Sequence, residues 1–187
     1  MEFSDFGLVG AYIIRPRVFA DARGSFVKTF HAPLFADNGL RTDWREEFYS
    51  VSRRGVIRGL HFQTPPAQHA KLVTCVAGKV IDVAVDLRRG SPTEGRVCSV
   101  TLDDRDGLGL YLPSGVAHGF QSLSEQSTML YKVTSVHAPH SDAGIAFDSI
   151  AFDWPITDPI VSDRDREHPA LADYASPFTF DTENPSS

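Results

Sequence analysis

Cysteine is scarce: the two residues, Cys75 and Cys98, lack Cys-x-x-Cys spacing and are too few for a disulfide framework or a zinc ribbon. Both read as small apolar core residues. Basic charge is not in excess. With 18 Lys and Arg against 24 Asp and Glu, the net charge is −6 and no basic stripe runs along the chain, which argues against a nucleic-acid partner. Long apolar runs are missing as well. Stretches such as Leu8–Ile14 fall well short of the ~20 residues a membrane-spanning helix needs. The acidic start, Met1-Glu2-Phe3-Ser4-Asp5, carries no export signal. The expectation is a cytoplasmic protein with no membrane partner. Gly-x-Gly-x-x-Gly, Gly-x-x-x-x-Gly-Lys-Ser/Thr and Gly-x-Ser-x-Gly do not occur, so no motif supports a nucleotide cofactor, a P-loop or a serine hydrolase.

What is present is period-two alternation. The 187 residues, 42% hydrophobic and 22% charged, suit a single globular domain, assigned to 1–175, with a Ser/Pro/Thr-rich tail at 176–187 expected to be frayed. In Lys79–Arg88 one face carries Ile81, Val83, Val85 and Leu87, and the other Asp82, Ala84 and Asp86. Similar segments are Ser25–Phe30, Glu47–Ser52, Gly55–Phe62, Ala70–Val76, Val97–Leu102, Leu108–Leu112, His118–Leu123 and Thr128–Thr134, separated by turn-forming residues. Helical patterns are few. They are a short piece at Ala32–Asp37 and another at Ser162–Tyr174, with Ser162 as N-cap and Pro169 interrupting. The pattern predicts an all-β jelly-roll barrel with short peripheral helices.

The densest polar constellation is Gly55–Pro66, followed by His69 and Lys71. Regular alternation separates Arg58 from His61 onto opposite faces, but Gly59 between them permits a bulge. His61, between Leu60 and Phe62, reads either as a neutral imidazole able to act as a base or as a core histidine bonded to a backbone carbonyl. Lys71 opens an apolar strand; it either lies at a solvated edge or faces an anion, because an unpaired buried ammonium is costly. Tyr131 serves equally as packing or as a second proton carrier. The spacing Pro113-x-Gly115-x-x-His118 is similar to the second half-motif of the cupin superfamily, whereas the His-x-His of metal-bearing cupins is absent. The metal expectation is therefore none, which leaves cofactor-free acid–base chemistry.

Eight motifs in order from Phe19 to Asp165 carry a closer resemblance. They are Phe19-x-Asp21-x-Arg23-Gly24-x-Phe26, Val56–Gln63, Lys71–Val73, Asp82–Arg88 with Gly90–Thr93, Pro113–Phe120, Leu130–Lys132, Trp154-Pro155 and Ser162–Asp165. Together they resemble the dTDP-4-dehydrorhamnose 3,5-epimerases, the RmlC-type sugar-nucleotide epimerases. The resemblance implies a cupin-like jelly roll, a homodimer that exchanges strands, no cofactor, and a nucleotide-linked 4-keto-6-deoxyhexose as substrate. It implies His61 as base, Asp165 as its orienting partner, Lys71 as enolate stabiliser and Tyr131 as the acid on the opposite face. Arg23, Phe26, Arg58, His118, Ser50 and Lys28 fall at substrate-binding positions.

Three departures from the family pattern sit at nucleoside positions. Lys28 replaces a glutamate, Glu46–Ser50 replaces Gln-x-Asn-x-Ser, and Val136 stands where an aromatic stacks on the base. A CDP-linked or other NDP-linked 4-keto sugar, inverted at C3, C5 or both, is thus an alternative to the dTDP-linked one. A non-catalytic sugar-binding cupin is the rival of a different class.

Overall fold

Short period-two segments broken by Gly, Pro and Asp fold as strands, because each alternate residue can face a core while the turn residues reverse the chain. In the computed structural model, which describes residues 1–186, two antiparallel sheets face each other. The first runs β1 (Glu2–Asp5), β2 (Tyr12–Arg15), β10 (Gly109–Leu112), β7 (Lys71–Ala77), β12 (Gln126–Val133) and β5 (Glu46–Arg53). The second runs β13 (Asp142–Gly144), β6 (Ile57–Gln63), β11 (Val116–Ser122), β8 (Lys79–Asp86) and β9 (Val97–Asp103). A hairpin of β3 (Val18–Asp21) and β4 (Gly24–Val27) stands apart from both sheets. This is the expected cupin-like jelly roll. Helix is confined to α1 (Ala32–Asp37), α2 (Asp163–Arg166) and a 3₁₀ turn at Leu171–Asp173.

Between the sheets lies one core, with Val73, Cys75, Val80, Leu102, Leu110, Phe120 and Met129 among its members. A second core lies outside the five-stranded sheet. There Leu60, Phe62, Val83, Val85 and Leu87 are covered by Ile145, Ile150 and Phe178 from the C-terminal segment. This layer corrects the simple reading of β8 as a strand with one apolar face. Its other face, Asp82, Ala84 and Asp86, is fully buried too, pointing between the sheets. The two carboxylates persist inside because each has dedicated donors.

Asp86 is the clearer case of such pairing. It accepts from Arg88 Nε at 2.8 Å, Arg88 Nη2 at 2.9 Å, Ser91 Oγ at 2.6 Å and Thr93 Oγ1 at 2.7 Å. Arg88 in turn donates to the carbonyls of Val9 and Pro185. The N-terminal segment, the end of β8 and the tail are therefore joined through one ion pair. The expectation of a frayed tail is corrected for the described residues 176–186. Ser176 Oγ donates to the Leu87 carbonyl, Phe178 is buried, the Arg89 N–H donates to the Phe178 carbonyl and the Phe180 N–H to the Arg89 carbonyl. Ser187 lies outside the described residues.

Other boundaries shift for local reasons. Strands β1, β2, β3 and β13, of three or four residues each, are too short to show a period. The expected helix at Ser162–Tyr174 splits into α2 and the 3₁₀ turn around Pro169, which has no N–H to offer. Ser162 does cap α2, its hydroxyl accepting from the Asp165 N–H at 3.2 Å. Cys75 is buried and Cys98 half-buried, both free thiols. No described helix is long and apolar enough to cross a membrane.

Burial pushes the Asp86 carboxyl up, but its hydrogen bonds from Arg88, Ser91 and Thr93 outweigh that and hold it below the usual carboxylate value. A lowered folded-state pKa stabilises the fold above the unfolded value of about 3.9 and is lost as pH falls through the folded value. Asp86→Asn leaves the Arg88 charge buried and unpaired, so urea unfolding at neutral pH should show a loss of about 3–5 kcal/mol. The difference from wild type should shrink as the pH is lowered below about 4.

Candidate active site

Strand β6 is regular except at Gly59, and that irregularity builds the site wall. Opposite β11, His118 pairs with His61 while Phe120 pairs with Arg58, so β6 holds one more residue than its partner across this step. Gly59 has φ +129°, and a Cβ there would lie 2.5 Å from Gly119 Cα and 2.8 Å from the His118 carbonyl. Only glycine lets the two backbones approach this closely. The bulge turns Arg58 and His61 toward the same cavity, where strict alternation would part them.

That cavity, about 360 Å³, opens between the two sheets and is lined by His61, Lys71, His118, Tyr131, Arg58 and Ser50 among others. Its walls differ in chemistry. From β6, His61 Nε2 lies 2.7 Å from Asp165 Oδ1, and Asp165 Oδ2 accepts the Gly59 N–H at 3.1 Å. Burial pushes Asp165 up, but the His61 hydrogen bond and charge, with the Gly59 N–H, hold its carboxyl down at about 2. An ionised carboxylate only accepts, so His61 donates to Asp165 through Nε2 and turns Nδ1 away from the pair. The apolar neighbours that suggested a neutral histidine, Leu60 and Phe62, pack instead into the outer core.

Across the barrel, β12 presents Tyr131, its ring stacked on Phe48 with centroids 4.8 Å apart. Its hydroxyl lies 3.4 Å from Ser50 Oγ. Burial raises the phenol well above its ordinary value, against a smaller opposite pull from Ser50, so it remains a proton donor. On β7, Lys71 Nζ donates to the His61 carbonyl at 2.8 Å. Burial brings Lys71 down to about 8, with Asp142 and Asp82 opposing, and the ammonium is still largely charged at neutral pH. At the floor, His118 Nε2 meets both oxygens of Asp82 at 2.9 and 3.0 Å. Burial pushes Asp82 up against the pull of His118 and Lys71.

Of the positions singled out from sequence, His61, Lys71, Tyr131, Asp165, Arg58, Ser50 and His118 meet at or directly behind this cavity. Arg23, Phe26 and Lys28 do not. They ride on the β3–β4 hairpin, with Arg23 forked onto Asp21 and 90% exposed, and Phe26 62% exposed. Of the three departures, Glu46–Ser50 contributes Glu46, Phe48 and Ser50 to the lining, while Val136 is exposed.

His69, named in the polar constellation but given no role, also lines the cavity. It is held by Gln63 and Ser135, and burial, aided by Lys71 and His137, lowers it to about 3. Sequence reasoning missed other lining groups. Arg164 pairs with Asp142 at 2.8 Å, and Glu46 accepts the His137 N–H at 2.7 Å. Asp82 carried a usable signal, a carboxylate within an apolar strand. Asp142 and Arg164 sit in segments without period or motif.

The model for the family described as dTDP-4-dehydrorhamnose 3,5-epimerase matches residues 5–173. A dTDP-4-dehydrorhamnose 3,5-epimerase from Methanothermobacter thermautotrophicus is 42% identical over 170 residues, covering 88% of this chain and 91% of the relative. One from Mycobacterium tuberculosis is 43% identical over 181 residues, covering 92% and 89%. The crystal structure of NovW, a 4-keto-6-deoxy sugar epimerase from the novobiocin biosynthetic gene cluster of Streptomyces spheroides, is similar with a TM-score of 0.89 at 39% identity. It covers 92% of this chain and 88% of that chain.

Proposed function

The chain belongs to the dTDP-4-dehydrorhamnose 3,5-epimerase family, an isomerase family, and we propose that it inverts C3, C5 or both of a dTDP-linked 4-keto-6-deoxyhexose through an enolate, with no cofactor. The observation that carries this reading is the placement of a carboxylate-backed imidazole and a protonated phenol on opposite sheets around one cavity. A ketone at C4 acidifies the neighbouring C–H bonds, so inversion needs a base on one face, an acid on the other and a cation at the oxygen.

His61 Nδ1 takes the proton from carbon, the C–H pair moves into the ring as the C–C double bond, and charge develops on the C4 oxygen. The imidazolium formed is stabilised by ionised Asp165, which also holds the ring in the reactive tautomer. Lys71, pinned by the His61 carbonyl, supplies the positive charge for the enolate oxygen. Tyr131 then delivers its hydroxyl proton to carbon from the other face, and exchange with solvent restores both groups. His118, fixed by Asp82, and Arg58, whose Nε donates to Ser52 Oγ at 3.0 Å, hold the sugar and diphosphate. Such a substrate belongs to the cytoplasm, where nucleotide sugars are made.

The exposed hairpin completes the site in a homodimer. An isolated two-stranded hairpin is marginal in water, and this one presents Phe19 at 49% and Phe26 at 62% exposure beside Arg23 and Lys28. Laid over the cavity of a second copy, it buries both rings and brings a guanidinium and an ammonium to the nucleotide.

Proton NMR in D₂O with the dTDP- and CDP-linked 4-keto-6-deoxyglucose substrates tests the chemistry, the centres inverted and the base together. Wild type should exchange C3 or C5 protons. His61→Ala should slow exchange by roughly 10²–10⁴-fold, and Asp165→Asn by up to about 10⁴-fold, with circular dichroism unchanged. Tyr131→Phe should retain exchange while losing inversion; full inversion by this variant overturns its role. For the dimer, mixing refolded Arg23→Ala and His61→Ala chains should yield activity that neither has alone, because a mixed dimer holds one complete site. No recovery, or a monomer by light scattering, overturns the shared site.

A further inference from the structure

One buried group beside the dyad has no part in the proton transfers above. His168 follows α2, three residues beyond Asp165, and its ring stands edge-on to that of His61 with centroids 5.7 Å apart. Its Nε2 is buried without a hydrogen-bond partner among the described residues. Asp165 Oδ1 is 3.8 Å away, beyond hydrogen-bond range. The ring is not free to swing toward another partner. Gly144 packs so closely that a Cβ there would lie 2.5 Å from this nitrogen, and the Ala146 N–H ties the following Pro169 carbonyl at 2.8 Å. A buried nitrogen aimed at a carboxylate it cannot reach has the geometry of a ligand short of its ion.

His61 Nε2, Asp165 Oδ1 and His168 Nε2 lie within 4.8 Å of one another. We propose that these three atoms bind a divalent transition metal such as Zn²⁺ or Co²⁺, and that the bound metal inhibits the epimerase by occupying its base. Two imidazoles and one carboxylate suit zinc and cobalt, whereas calcium and magnesium require mostly oxygen donors. Metal–ligand bonds of about 2.0–2.2 Å in a tetrahedral site set donors roughly 3.3 Å apart. The His61–Asp165 pair at 2.7 Å must open and the His168–Asp165 pair at 3.8 Å must close, each by about half an ångström, and the two imidazole nitrogens, within 4.8 Å of each other, must draw together, a movement that falls to the His61 side chain because His168 is packed against Gly144. Asp165 Oδ2 is already oriented by the Gly59 N–H, and His61, 28% exposed, leaves an open position toward the cavity for water.

Inhibition follows from which atom the metal takes. Binding displaces the Nε2 proton of His61, withdraws electron density from the ring and spends the charge of Asp165 on the ion. Nδ1 is then a poorer base and the imidazolium has lost its counter-charge. The inhibitory half rests on the reading of His61 as the base, and the binding half does not.

The test uses the full chain after dialysis against a chelator, titrated with Co²⁺ and then Zn²⁺. Visible cobalt absorption should saturate at one ion per chain, calorimetry with Zn²⁺ should give the same stoichiometry, and Zn²⁺ should suppress turnover in parallel. In His168→Gln, metal affinity and the potency of Zn²⁺ as an inhibitor should fall at least about tenfold, while metal-free turnover stays near wild type. No stoichiometric binding, or binding unchanged in His168→Gln, overturns the site. Activation by Zn²⁺ overturns the inhibitory role. Metal binding that is lost in His168→Gln but leaves wild-type turnover unchanged supports the metal site and overturns the inhibitory role, and with it the reading of His61 as the base.

Discussion

A carboxylate from the C-terminal segment, Asp165, reaches into the barrel wall and takes two donors from β6: the His61 ring and the Gly59 N–H. That contact spans more than a hundred residues of sequence and closes the bulge that would otherwise leave a strand interior with an unpaired N–H. Arg58 and His61 share a face because β6 is bulged, and the bulge is satisfied because Asp165 is there. The orientation of the imidazole, the anchor for Lys71 on the His61 carbonyl and the position of His168 all depend on it.

The barrel differs from a simple half-solvated sheet in burying both faces of β6, β8 and β11. The C-terminal segment supplies the outer layer, and each buried aliphatic residue contributes on the order of 1.5–3 kcal/mol. A segment that covers the sheet can also carry a side chain through to its inner face, as α2 does with Asp165. The same logic holds at the other end of β8, where Arg88 joins the N-terminal segment, the strand and the tail through Asp86. Charged groups inside this fold are therefore fasteners between segments distant in sequence.

The period of two exposed most of the long strands, since β5 to β9 and β12 each run seven or eight residues and show their alternation. The short strands β1, β2, β3 and β13 escaped because three or four residues do not by themselves establish a period. The catalytic candidates were legible one at a time: His61 by its place between apolar residues, Lys71 by opening an apolar strand, Tyr131 by its strand. Their joint arrangement became legible only through motifs in register, which is information about a family and not about physics. Asp142 and Arg164 had no such signal. His168 was invisible for the opposite reason, since a histidine beside a proline in a polar stretch looks like surface.

The sequence by itself determined the strand-rich class, the turn positions, the paucity of helix and the set of titratable side chains, because alternation and turn chemistry act over a few residues. Only the tertiary structure decided which of those side chains meet. Whether Asp82 faces water or His118, whether Gly59 is a simple strand glycine or a bulge, and whether Asp165 touches His61 or solvent are outcomes of long-range packing. Local sequence carries no record of a contact that forms only when two sheets and the segment covering them come together.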